Sequence, residues 1–260
     1  MTQTGAVLEV EGLCKNYREF SLSDVTFSVP PQSIMGFIGR NGAGKTTTIK
    51  SILNLVHKDA GSIRYFGMDL NEHEREIKQK IGYAAGTETF YKKKRIAEIV
   101  GVTKSFYKNW DDKAYSHYMS MFSIKDSKTP EELSEGMKVK LNLALALSHG
   151  AELLILDEPT SGLDPFSRDE LCDVFNQIVK DGCTILFSTH ITSDLDKCAS
   201  HITYIRSGKI ISCSSKADFI QTHGKEGENI EEIMLRLERE SRAGLSESEI
   251  LNGEILGGEK

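Results

Sequence analysis

Eight residues, Gly39-Arg-Asn-Gly-Ala-Gly-Lys45-Thr46, fit the pattern G-x-x-x-x-G-K-[ST] without a mismatch. These residue types suit the holding of a polyphosphate. Glycines let successive backbone N–H groups curl round phosphate oxygens where a Cβ would clash. A helix that follows presents its positive end. Lys45 is then placed to meet β- and γ-phosphates, and the Thr46 hydroxyl to ligate Mg²⁺. Further on, Leu153-Leu-Ile-Leu-Asp157-Glu158 is apolar until it ends in two carboxylates. A buried strand that delivers acids at its tip is poised for a ligand site. Asp157 is placed to hold Mg²⁺, directly or through water, and Glu158 to accept a proton from an attacking water. Strands often end in acids, so this second pattern says little alone; beside the glycine loop it gains force.

The elements that must position these groups can be read from periodicity. AVLEVEGL and LSDVTFSV alternate apolar and polar residues as strands do, and Pro30-Pro31 ends the second. IMGFIG, the glycine loop and KTTTIKSILNL read as strand, loop and helix, with further strands at Gly61–Gly67 and at 81–85. From about Gly86 to Gly150 the segments RIAEIVGVTKSFYKNW, DDKAYSHYMSMF and GMKVKLNLALALS have helical periodicity. Strands return with ELLILDE, CTILFST, HITYIRS and KIISC, interleaved with helices. After Lys216 the chain reads as helical and acidic, with Ile230, Ile233, Met234 and Leu237 on one face, and its last residues as loose. Phe106, Tyr107 and Trp110 read as core. The expected fold is α/β: a phosphate-loop NTPase core with a mixed β-sheet at 1–86 and 151–216, an inserted α-helical subdomain at 87–150, and an acidic C-terminal helical extension at 217–260.

Over roughly residues 6–215 the chain resembles the nucleotide-binding subunit of ABC transporters. Leu133-Ser134-Glu135-Gly136-Met137 is similar to the family signature L-S-G-G-Q, departing from it at Glu135 and Met137. In that family the segment caps ATP held by the opposite subunit, which implies a nucleotide contact for Ser134 and Gly136; a Ser at a helix start is also a good cap. Ser161-Gly-Leu-Asp164 resembles the loop that crosses the dimer interface. His190, in Ser-Thr-His, resembles the switch histidine on the γ-phosphate, and Tyr17 the aromatic residue that stacks on adenine. The resemblance carries Gly39, Asn41, Gly42, Ala43, Gly44, Lys45, Thr46 and Thr47 to the phosphates of ATP, and Thr46 with Asp157 to Mg²⁺. It makes Glu158, His190 and Lys45 the hydrolytic residues. One position departs: where the family has a Gln that touches Mg²⁺ and relays the nucleotide state to the permease, this chain has Gly86, with Glu88 two residues on.

IGYAAGTETFY, SFYKNWD and FSTHITSDL resemble a subfamily of Gram-positive multidrug, bacteriocin and toxic-peptide exporters whose permease is a separate chain. That implies a membrane permease partner, a second ATP-binding subunit in a homodimer, and a place on the cytoplasmic face of the membrane. Importer motors and soluble ABC ATPases are the alternatives, but the latter usually carry two cassettes or long coiled coils. A binding-only module is disfavoured by the intact Lys45, Asp157, Glu158 and His190.

Composition agrees. The 260 residues are 39% apolar and 27% charged, as in soluble globular proteins. No run of about eighteen apolar residues is present, and the first residues lack the basic and apolar regions of a signal peptide. The net charge of −6 lies in the tail, where residues 217–260 hold eleven acids and five bases. A neutral core with an acidic tail argues against nucleic acid as partner. Five cysteines without C-x-x-C spacing read as free thiols. Lys92-Lys-Lys-Arg95 reads as a solvated face, or as a contact for an acidic permease loop or anionic headgroups.

Overall fold

The computed structural model describes residues 5–85 and 91–240. Gly86 and Glu88, and the residues read as a loose terminus, lie outside the described residues. The chain divides into two compact units, Met1–Ser215 and Lys216–Lys260.

In the first unit the chain runs β1 (Leu8–Asn16), β2 (Ser21–Val29), β3 (Ile34–Ile38), α1 (Lys45–Ile52), β4 (Ala60–Tyr65), β5 (Met68–Asp69), α2 (Leu70–Lys80) and β6 (Ile81–Ala85). It continues through α3 (Ile96–Phe106), α4 (Asp112–Met121), a 3₁₀ turn at Pro130–Glu132 and α5 (Glu135–Ser148). It closes with β7 (Leu153–Asp157), α6 (Pro165–Lys180), β8 (Thr184–Thr189), α7 (Thr192–Cys198), β9 (His201–Arg206) and β10 (Lys209–Ser215).

The strands form two sheets. One is antiparallel, in the order β2-β1-β4-β5; the other runs β10-β9-β3-β8-β7-β6. In the second, β6, β7, β8, β3 and β9 are mutually parallel and β10 adds an antiparallel edge. Parallel strands covered on both faces read as unbroken apolar runs. IMGFI, LLILD and TILFST are accordingly buried along their whole length. β1 and β2, by contrast, alternate, and their inward positions Leu8, Val10, Val25 and Phe27 are buried.

The two sheets share a core that includes Leu8, Phe27, Phe37, Ile49, Tyr65 and Ile155. Phe27 and Phe37 meet across it with ring centroids 5.3 Å apart. Tyr65 is fully buried, and its hydroxyl donates to the Ile52 carbonyl at 2.8 Å, so the α1 end is tied to the antiparallel sheet. Burial raises the phenol well above its ordinary value.

Between β6 and β7, helices α3, α4 and α5 belong to the same compact unit as the sheets. Asp111 caps α4, accepting from Lys113 and Ala114 N–H, and Ser134 caps α5. One helix has no reading in the sequence, and one reading differs from the structure. LNEHEREIKQK forms α2, although it gave no apolar periodicity, because only Leu70 and Ile77 are buried. Phe106, expected in the core, is 70% exposed: α3 stops there, and its last side chain is left outside.

In the second unit, α8 (Lys216–His223) precedes a helical stretch over 230–240. Phe219, Ile230 and Ile233 are buried. Arg236 donates to both carboxylate oxygens of Glu228, at 2.9 and 2.8 Å, and also to the His223 carbonyl. That guanidinium holds the Glu228 carboxyl down at about 2.

Candidate active site

The glycine loop joins β3 to α1 at the end of the parallel sheet. Its geometry explains its composition. Gly44 sits at φ +113°, where a side chain is strained, and a Cβ there would meet Leu22 and Phe20 atoms at 2.7 and 2.8 Å. At Gly39 a Cβ would come within 2.4 Å of the Ile205 carbonyl oxygen. Gly44 is the N-cap of α1 and offers no side-chain cap, and the first turn has no acid. The first N–H groups of α1, in the Lys45-Thr46-Thr47 turn, therefore face out of the helix without a side-chain acceptor, as an anion site requires. Ala43 is buried, whereas Asn41 and Gly42 are exposed on the loop.

Lys45 is only 6% exposed, yet its ammonium is held in place. It donates to the Gly39 carbonyl at 2.7 Å and the Arg40 carbonyl at 3.4 Å, and pairs with Glu158 Oε1 at 3.2 Å. Thr46 Oγ1 donates to Asp157 Oδ1 at 3.3 Å. Glu158 is itself bound at its other oxygen, Oε2, by His190 Nδ1 at 2.8 Å. An ionised carboxylate can only accept, so Nδ1 carries the hydrogen. The glycine loop, the end of β7 and the end of β8 thus meet in one bonded cluster: Lys45, Thr46, Asp157, Glu158 and His190.

Glu158 adopts φ +53°, the left-handed region, which costs a residue with a side chain about 1–2 kcal/mol. The turn is secured by Ser188, whose hydroxyl accepts from Glu158 N–H at 2.9 Å and donates to Asp157 Oδ1 at 2.6 Å. Strain at a ligand site that its surroundings hold in place is a mark of function. Thr46 and Asp157 are hard oxygen donors beside an anion cradle. Among the described residues no group of three or more His, Cys, Asp or Glu could cage a metal. This donor set fits Mg²⁺, which favours one or two protein oxygens with substrate phosphates and water.

Tyr17 lies elsewhere on the loop side. Its N–H donates to the Phe20 carbonyl at 2.8 Å, its ring is 49% exposed, and with Gly42, Arg18 and Ser207 it lines an open cavity of about 540 Å³. Lys15 Nζ stands 5.6 Å from the ring centroid and pairs with Asp59, whose carboxyl is held below its ordinary value first by that lysine.

Ser134, Gly136 and Asp164 form a second group. Ser134 Oγ accepts from Met137 N–H at 3.3 Å at the start of α5. Asp164 caps α6, accepting from Phe166 and Ser167 N–H at 3.0 and 3.1 Å and from the Ser167 hydroxyl at 2.5 Å. These three bonds lower the Asp164 carboxyl below its usual value, the hydroxyl most of all. The two helix starts are neighbours, since a Cβ at Gly136 would lie 3.8 Å from Ser167 Cβ. Among the described residues no hydrogen bond or ion pair joins this group to Lys45, Asp157, Glu158 or His190.

Sequence reasoning missed two buried polar residues here. Ser188 follows the apolar run of β8, in the Ser-Thr-His that draws attention only to its histidine. Asp194, on α7, is 3% exposed, and among the described residues neither its Oδ2 nor the Thr160 hydroxyl has a hydrogen-bond partner. Its Oδ1 stands 4.0 Å from an Arg168 nitrogen. Burial raises the Asp194 carboxyl, with the Arg168 charge opposing.

The family profile described as ABC transporter matches residues 22–161. The bacitracin transport ATP-binding protein BcrA of Bacillus licheniformis is 35% identical over 214 residues, covering 79% of this chain and 68% of that protein. The lantibiotic transport ATP-binding protein SrtF of Streptococcus pyogenes is 34% identical over 213 residues, covering 79% of this chain and 89% of that one. A solved structure of an ATP-binding subunit of an ABC transporter superposes with a TM-score of 0.79 at 28% identity, over 89% of this chain and 99% of that one.

Proposed function

As this chain belongs to the ABC transporter family and is one of its ATP-binding, ATP-hydrolysing subunits, we propose that it powers export of a peptide or drug through a separate membrane permease. In this reading it works as a homodimer with two shared ATP sites. The observation that carries the catalytic part is the cluster in which one carboxylate, Glu158, is held at one oxygen by Lys45 and at the other by His190.

Lys45 and the open N–H groups of α1 bind the phosphates, and Tyr17 stacks on the adenine. Thr46 and Asp157 hold Mg²⁺, which when bound neutralises charge on the phosphates. Arriving phosphates compete with Glu158 for the Lys45 ammonium. Once released, Glu158 accepts a proton from water, and His190 turns its ring toward the γ-phosphate. Ser134 and Gly136 of a second copy supply the start of α5 to the same phosphate, and Asp164 sits on the surface between the copies. The separation of the two groups within one chain supports this sharing.

On the permease side, a cavity of about 230 Å³ opens between β6 and the helices, lined by Tyr83, Tyr91, Tyr107, Asn142 and His149 among others. Phe106 and Val102 stand exposed on α3. An apolar helix of a permease fits such a surface. Among the described residues no helix is long and apolar enough to cross a membrane, and we place the chain on the inner membrane face through its permease. The names of BcrA and SrtF, with bacitracin and lantibiotics as cargo, support export of an amphipathic peptide. Copurification of the full chain from membranes tests the reading. It should bring down one membrane protein, and ATPase activity in the reconstituted pair should rise with added peptide. Recovery of a soluble or nucleic-acid-bound complex instead would overturn it.

A further inference from the structure

We infer that Ser188 is a positioning residue for ATP hydrolysis, acting on both acids at once. The parallel register pairs Asp157 of β7 with Ser188 of β8. Every residue of β8 is buried, and Ser188 is fully so. A hydroxyl there is unfavourable unless it is hydrogen-bonded. Its two bonds go to the two residues that the proposed reaction needs. The O–H donates to Asp157 Oδ1 at 2.6 Å, a short bond to a charged acceptor. A lone pair takes the Glu158 N–H at 2.9 Å.

Two consequences follow from the geometry. Asp157 Oδ1 is held by Ser188 and by Thr46, while Oδ2 makes no hydrogen bond to a described residue. The carboxylate is thereby held at one oxygen, with the other left over for the proposed metal. The second bond anchors the backbone of Glu158, a residue in the left-handed region. With its N–H fixed, the carboxylate of Glu158 leaves the turn in one direction, between Lys45 and His190. An alanine at 188 would fit the strand but leave the Glu158 N–H without its partner and Asp157 Oδ1 with only the longer Thr46 bond. The turn would then relax, and both acids would lose their aim.

The inference rests on the assigned roles of Asp157 and Glu158, so Glu158→Gln is measured beside it. The full chain is prepared as Ser188→Ala, Ser188→Thr and Ser188→Cys. For each, the melting midpoint, the ATP affinity in EDTA and in Mg²⁺, and the kcat and KM are read. Ser188→Ala should bind ATP in EDTA within about twofold of the parent, and lose about fivefold or more of the affinity gained on adding Mg²⁺. Its kcat should fall about 30-fold with KM changed less than about threefold. Ser188→Thr, which keeps the hydroxyl, should recover most of that kcat, and Ser188→Cys, a weak donor, should not. The inference is overturned by a Ser188→Ala kcat within about threefold of the parent, by equal affinity losses with and without Mg²⁺, or by a kcat loss that tracks the fraction unfolded. If Ser188→Ala does not fold, a Cys variant as active as the parent overturns it equally. Full turnover in Glu158→Gln would instead remove the catalytic reading beneath it.

Discussion

The phosphate centre and the helix starts at Ser134 and Asp164 are built to opposite plans. In the first, the polar side chains bond one another and the loop: Lys45 on two carbonyls and Glu158, His190 on Glu158, Ser188 on both acids. In the second, Ser134 and Asp164 do no more than cap their own helices, and both are exposed, with Phe166 beside them 87% exposed. A locked cluster can hold a ligand alone, whereas the helix starts capped by Ser134 and Asp164 reach no group of that cluster among the described residues. The difference teaches that nucleotide binding and turnover need not depend on the same set of residues.

The sharpest way to test that division is to disable the locked cluster. Glu158→Gln keeps shape and removes the proposed base, so kcat should fall about 10²–10³-fold while Mg-ATP still binds. In gel filtration with ATP it should run as a dimer. Lys45→Ala should instead weaken binding itself, since a point charge on the phosphates is lost. Equal turnover in Glu158→Gln and parent would break the comparison at its base.

The open group comes next. Gly136→Asp puts a negative charge at the start of α5. It should cut turnover by about tenfold or more and abolish the ATP-induced dimer of Glu158→Gln. The monomer's ATP affinity should shift less than about twofold. If monomer affinity falls along with turnover, the two groups act as one and the contrast is lost.

A smaller effect belongs to Tyr17. Replacing its exposed ring in Tyr17→Ala should raise KM for ATP about tenfold with kcat nearly kept, and Tyr17→Phe should be almost silent. The smallest effect reaches the far end of α5. His149 is 2% exposed and stacks on Tyr107 with centroids 3.6 Å apart, and burial lowers its imidazole to about 4. A folded value below the ordinary one means that the unfolded chain binds the proton first. Stability is therefore full above about pH 6.5 and lost as the pH falls toward 4, by about 1–3 kcal/mol. Melting curves of parent and His149→Phe should diverge across that window and run parallel above it. Parallel curves throughout would show that α5 carries no such acid sensitivity.

What the sequence disclosed follows from how local each constraint is. The glycine loop and the acid-tipped strand are contiguous, so their chemistry could be named from residue types alone. The order of strands and helices was legible in the unbroken runs of β3, β7 and β8. The significance of Ser188 was not, because it arises from a register that pairs residues 157 and 188 across two strands. α2 was hidden for another reason. With two buried residues in eleven it has no apolar stripe, and only the Asp69 cap, bonding Asn71 N–H, announces it. Phe106 misled because a helix-spaced aromatic cluster says nothing about where its helix stops.

The sheet order also governs how the chain is made. β3 is complete at residue 38, yet the two strands that flank it, β8 and β9, begin at residues 184 and 201. At about 5–20 residues per second, a ribosome leaves IMGFI without either neighbour for roughly 10–30 s. The antiparallel sheet, closed between residues 8 and 69, has all its strands long before that and presents the apolar side that β3 will cover. Synthesis therefore proceeds with a finished first sheet beside an unpaired strand, and the glycine loop gains Asp157, Glu158 and His190 only more than a hundred residues after it has been made.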